Sequence, residues 1–176
     1  MAARFEVIGV GGLPEIAQGD DLGSLIVDAA RAQGTPLAAG DLLVVSQKIV
    51  SKTEGRIVRL DQVTVSPRAQ ALALEIDRDP RLVEVILGES RRIVRTAKGV
   101  LIVETHHGWI CANAGVDQSN VDADTACLLP VDSDASARGL RTRIAALTGH
   151  TLAIVIADTF GRPWRWRSIA TRGWWR

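Results

Sequence analysis

No apolar run in this chain approaches the roughly 18 residues that a membrane-spanning helix needs, so no membrane partner is expected. Met1-Ala-Ala-Arg-Phe runs straight into a strand-like segment. It has none of the charged start, apolar stretch and small-residue cleavage site that mark a signal peptide. The two cysteines, Cys111 and Cys127, show neither CxxC spacing nor a disulfide framework. Their apolar and small neighbours predict reduced, buried thiols. A cytoplasmic protein is therefore expected. A net charge of +1 lacks the concentrated basic face that nucleic acid requires, so no nucleic-acid partner is expected either. Neither GxxxxGKS/T nor GxGxxG occurs, which removes the familiar phosphate loops as explanations. His106, His107 and His150 have no metal-ligand spacing and no nucleophile partner, and read as surface residues.

What is present is an ordinary globular composition, 47% hydrophobic and 23% charged, which argues against disorder. Residues 5–10 read as a first strand, ending in the loop that carries Leu13-Pro14-Glu15-Ile16. Asp20-Asp21 can cap a helix with Leu22, Leu25, Ile26, Ala29 and Ala30 on one face, stopped by Gly34. Residues 42–45 read as a buried strand that carries on as a strand-like run through 50, before the turn at Glu54-Gly55. Ser66-Pro67 opens a helix and Asp79-Pro80 restarts a second. Residues 92–95, 100–104 and 109–112 follow as short strands whose connections are too brief for crossover helices, hence an antiparallel meander. Asp132 caps a last long helix ended by Gly149, and an apolar strand over 152–156 delivers Asp158-Thr159. Separate helices beside a meander predict an α+β fold, a mixed antiparallel sheet with flanking helices.

Four segments could carry chemistry. Asn113-Ala-Gly115-Val-Asp117-Gln-Ser-Asn120 places oxygen donors beside a glycine, as a half-site for a hard cation would, although any tight turn uses the same residues. In Asp158-Thr159-Phe-Gly161-Arg162-Pro-Trp164-Arg165, an acid and a hydroxyl emerge together from an apolar strand. Two arginines able to clamp phosphate oxygens follow; a capped strand end with solvated arginines reads equally well. The proline-stiffened loop 13–16 could expose backbone groups to a base or phosphate, or simply connect two elements. Lys52 could neutralise a phosphate, or be solvated.

The order LPEI, SQKIVSKTEGR, NAGVDQSN, DTFGRPWR resembles the coenzyme F420:L-glutamate ligase family over residues 5–165. The resemblance implies a GTP-dependent ligase that adds L-glutamate to coenzyme F420-0 through an acyl phosphate. It also implies a mixed α+β fold and an intertwined homodimer. Carried over by motif, the divalent-metal ligands (magnesium or manganese, with potassium a further candidate ion) fall on Asp117, Asp158 and Thr159. The GTP contacts fall on Leu13, Pro14, Glu15, Ile16, Lys52 and Asn120, and on Gln47 where the family commonly has serine. No residue is singled out as a general base. After Arg165 the resemblance stops. Residues 166–176 carry three of the five tryptophans, three arginines and no acid, and read as an aberrant tail of a chain cut short or read out of frame. The expectation is a partial ligase-like domain over 1–165, with turnover impaired or absent. A binding-only remnant of the GTP and metal site stays open, as does an Arg/Trp tail that touches single-stranded nucleic acid or a membrane surface.

Overall fold

The computed structural model describes residues 5–119, 121–159 and 168–170, with Thr159 and the last three residues described by backbone only. Among the described residues, five α-helices and eight short strands form an α+β fold, as expected. The first core gathers α1 (Leu22–Ala32), β1 (Leu42–Ser46), α2 (Gln47–Thr53), α5 (Ser133–Thr148) and β7 (Ala153–Thr159). Leu22, Ile26, Val27 and Ala30 give α1 its buried stripe, and the first three join a core with Leu140 and Ile144 of α5 and Val45 and Ile156 of the sheet. Asp21 starts α1 by accepting from Ser24 N at 3.1 Å. Arg143 Nε donates to the same carboxylate at 2.8 Å, which ties α5 to the start of α1.

The second core lies under α3 (Pro67–Ile76), α4 (Pro80–Gly88) and the antiparallel sheet β3 (Ser90–Ala97), β4 (Val100–Thr105), β5 (Ile110–Ala112). Ser66 Oγ accepts from Ala69 N at 3.2 Å to cap α3, and Asp79 accepts from Arg81 N at 2.8 Å to cap α4. Ala69, Ala73 and Ile76 are buried at helical spacing, opposite Leu101 and Val103 of β4. β4 alternates with a fully buried inner face, so the meander leaves its other face toward solvent. A two-stranded antiparallel ladder, β2 (Ile57–Arg59) with β6 (Thr125–Cys127), lies between the two cores, and α2 packs on β6.

One connection positions everything that follows. β1 and β7 pair in parallel, Ser46 opposite Ala157, yet the whole second core is inserted between them in sequence. Both strands therefore present their carboxyl ends at the same edge. On its other side β7 pairs antiparallel with β8 (Ser168–Ala170).

Two expectations about elements fail. Residues 5–10 form no strand; Phe5 is 88% exposed and Val7 84%. Among the described residues their apolar character finds no neighbouring strand to complete a ladder, and glycines 9, 11 and 12 interrupt the run. The strand-like run through 50 is instead broken at Ser46, where α2 begins. Burying Gln47, Val50 and Ser51 together requires helical spacing, and tertiary packing overrides the β-branched Ile49 and Val50. His107, in addition, is half-buried rather than on the surface. Its ring stacks on Trp109 with centroids 4.6 Å apart, and Nε2 lies 3.0 Å from the carbonyls of Pro130 and Val131.

Candidate functional site

The junction of β1 and α2 is the floor of a cleft of about 980 Å³, at the upper end of the range ligand pockets occupy. One wall is the loop Leu13, Pro14, Glu15 and Ile16. Ile16, 7% exposed, pins that loop into the first core. Gln33, just past α1, accepts from Gly11 N at 2.9 Å and donates to the Gly9 carbonyl at 3.1 Å, which fixes the entry to the loop. Gly19 N donates to the Thr53 carbonyl at 2.9 Å and ties its exit to the end of α2. The loop is held at both ends while Glu15 stays 85% exposed.

The floor follows from the phase of α2. Its buried face carries Gln47, Val50 and Ser51, so Lys48, Ile49 and Lys52 turn to the cleft. Lys52 is paired with Glu15 and is only 14% exposed, more sheltered than a solvated lysine. Gln47 is 4% exposed; its side-chain oxygen accepts from Ser51 Oγ at 2.8 Å, and it does not line the cleft. The structure thus gathers five of the expected nucleotide contacts, 13–16 and Lys52, around one volume. It turns Gln47 into the core instead, and Asn120 lies outside the described residues.

Asp117 comes to the same junction from the second core. Asn113, Ala114 and Gly115 take three successive left-handed backbone angles, φ +50°, +55° and +72°. That reversal sends the chain back toward β6, where Asp117 exchanges backbone hydrogen bonds with Cys127 at 2.9 and 2.7 Å. Asn113 Oδ1 accepts from Leu101 N at 3.0 Å and anchors the start of the loop to β4. The Asp117 carboxylate accepts from Ser119 N and Oγ, each at 2.8 Å, and from Lys48 Nζ at 2.6 Å. Partial burial pushes its pKa up, but the hydrogen bonds from Lys48 and Ser119 outweigh this and hold it below the usual carboxylate range.

Asp158 arrives at the same edge along β7, one residue beyond the partner of Ser46. Its charge is felt by Cys111: burial first, and then Asp158, push that thiol up to about 11. Both cysteines are free and buried, as expected. The side chain of Thr159, and Arg162 and Arg165, lie outside the described residues.

Among the described residues no group of three or more His, Cys, Asp or Glu could hold a metal ion. A caged structural ion is therefore not what the described part offers. Asp117, tied to the cleft floor through Lys48, and Asp158 at the end of β7 make the one or two carboxylates that a hydrated magnesium or manganese uses. The Lys48 ammonium against Asp117 shows that carboxylate already arranged to receive positive charge, so the residues fit such an ion. Lys48 and Ser119 are absent from the sequence-based set. The available signal was the spacing of Lys48 and Lys52, four apart, which reads as one helical face once the segment is taken as a helix.

The family model for F420-0:gamma-glutamyl ligase matches residues 11–172, past Arg165. The coenzyme F420:L-glutamate ligase of Methanothermobacter thermautotrophicus is 45% identical over 161 residues, covering 92% of this chain and 64% of that protein. The ligase of the same name from Methanopyrus kandleri is 44% identical over 151 residues, covering 86% and 58%. That from Archaeoglobus fulgidus is 41% identical over 162 residues, covering 92% and 63%. The chain thus spans about three fifths of the length of these curated relatives.

Proposed function

Because the chain belongs to the F420-0:gamma-glutamyl ligase family, we propose that its cleft holds GTP and a divalent cation to join L-glutamate to coenzyme F420-0. The single observation that carries this reading is the convergence of loop 13–16, Lys48 and Lys52 on one cleft, with Asp117 attached to its floor through Lys48. These elements come from three separated stretches of sequence.

In the proposed reaction the terminal carboxylate of F420-0 attacks the γ-phosphorus of GTP. An acyl phosphate forms, and the bond from the γ-phosphorus to the bridging oxygen breaks, releasing GDP. The α-amine of L-glutamate then attacks the acyl carbon and expels phosphate. An amide remains, and the amine proton passes to solvent. Loop 13–16 walls the nucleotide, with Ile16 and Gln33 keeping it rigid. Lys52 exchanges the exposed Glu15 for a phosphate oxygen, since a charge-assisted bond to phosphate replaces one to a solvated carboxylate. Asp117 and Asp158 would hold the cation, which when bound neutralises charge on the phosphate oxygens. Positioning and fixed charge account for the catalysis, and no covalent enzyme intermediate is required.

A second reading is a protein that binds GTP and cation without turnover. One experiment separates the two. Purified chain is incubated with F420-0, L-glutamate, GTP and manganese, product is sought by mass, and GTP binding is measured in parallel. Product that disappears in Asp117→Asn supports the ligase; GTP binding without product supports the binding-only protein. Absence of both would refute the site.

A further inference from the structure

The contact between Lys48 and Asp117 has a consequence for how the site fills. The Lys48 ammonium, with its side chain 17% exposed, lies 2.6 Å from Asp117 Oδ2, 2.8 Å from the Ser119 carbonyl oxygen and 2.7 Å from Ser119 Oγ. Three acceptors match its three donors, so the ammonium is fully engaged. Both Asp117 oxygens are also engaged, Oδ1 by Ser119 N and Oδ2 by Ser119 Oγ and Lys48. A divalent ion bound to this carboxylate would sit about 2.0–2.6 Å from an oxygen. That is the space the ammonium occupies, and the two like charges would repel at close range.

We infer that Lys48 is a built-in competitor of the divalent cation: its ammonium holds the cation's place on Asp117 and must leave before the ion can bind. The inference rests on the reading of Asp117 as a cation ligand. Lys48 also lines the cleft, on the same face of α2 as Lys52. Its flexible four-carbon stem lets the ammonium move from a carboxylate to a phosphate oxygen without rearrangement of the helix. Arrival of a triphosphate therefore offers Lys48 a new partner and frees Asp117. Nucleotide and cation then favour each other's binding through one side chain. In the nucleotide-free protein the same contact keeps cation affinity low.

The test is manganese binding to the full, nucleotide-free chain, followed by electron paramagnetic resonance of the free ion. Wild type is compared with Lys48→Met, Lys48→Gln, Asp117→Asn and the double variant Lys48→Met/Asp117→Asn. Urea midpoints establish that each is folded, and Lys48→Gln keeps a hydrogen-bond donor should the methionine variant fail. Removing the charge should tighten manganese binding about tenfold, within the span usual for coupled sites, and Asp117→Asn should abolish the gain. Unchanged or weaker binding in both charge-removed variants overturns the inference, as does a gain that survives in the double variant. Loss of binding in Asp117→Asn would still leave the cation reading standing in those cases. Manganese binding by Asp117→Asn equal to wild type would instead remove the cation reading itself.

Discussion

Gly115 offers a sharp test of how the loop presents Asp117. Its φ of +72° lies in the left-handed region, and a Cβ built there would sit 2.8 Å from Leu129 Cγ and Cδ1 and 2.9 Å from Cδ2. Gly115→Ala therefore meets two costs. The left-handed backbone costs an alanine roughly 1–2 kcal/mol. Displacing Leu129, which is 6% exposed and packed, costs roughly 1–3 kcal/mol as core overpacking. Part of the second cost is relieved if Leu129 shifts rotamer, so the sum is about 2–4 kcal/mol, or roughly 5–15 °C in Tm for a chain of this size. Gly139 is the control. It lies exposed in the interior of α5, and a Cβ added there would meet nothing within 4 Å. Gly139→Ala should stabilise by about 0.5–1 kcal/mol, because a helix interior disfavours glycine. Urea unfolding followed by circular dichroism measures both. Opposite signs are expected, with manganese affinity lowered only in Gly115→Ala. Equal midpoints for Gly115→Ala and wild type would refute the claim that this glycine is required by the loop.

Lys52→Ala should weaken GTP binding about ten- to hundredfold, the worth of a hydrogen bond between charged groups. Its partner Glu15 is 85% exposed, so the stability change should stay below about 1 kcal/mol; parallel titration calorimetry and urea melts decide, and equal losses in both would make Lys52 structural. Asp21 is held near pKa 2, against 3.8 unperturbed, chiefly by the Arg143 hydrogen bond and then by Ser24. A depressed folded value means stability present above about pH 3.8 and lost as pH falls toward 2. Solvent screening of this half-exposed pair reduces the effect to about 0.5–1 kcal/mol, and Arg143→Met should flatten that acid limb in urea midpoints taken between pH 2 and 5. Cys111, buried and pushed up to about 11, should not react with a thiol-specific disulfide reagent at pH 8 until the protein is unfolded.

What the sequence reveals depends on how local the cause is. Ser66-Pro67, Asp79-Pro80, Asp132 and Gly149 mark helix ends through contacts within four residues, and α3, α4 and α5 begin or end there. The meander is legible because its turns are short and its strands adjacent. The ladder of β2 with β6 is not, since each strand has three residues and the pairing spans some 70 positions. α2 reads as a strand because Ile49 and Val50 favour strands, and only contacts with distant elements decide that Gln47, Val50 and Ser51 go inward. That same phase hides Gln47 and brings Lys48 to the cleft. Loop 13–16 and Asp117 are recognisable as motifs, but the bond joining Lys48 to Asp117 is purely tertiary, and no spacing rule could reveal it.

The central claim is that one junction, at the end of β1 and β7, receives both nucleotide and cation. Nuclear magnetic resonance of isotope-labelled chain titrated with GTP and then with manganese tests it most directly, because the paramagnetic ion broadens only nearby amides. GTP is expected to shift the amides of Leu13, Glu15, Ile16 and Lys52, and manganese added to the GTP-bound chain then to broaden 117–119 and 157–159 first. Broadening centred on Asp20, Asp21 and Glu54, or GTP shifts that leave loop 13–16 untouched, would contradict it.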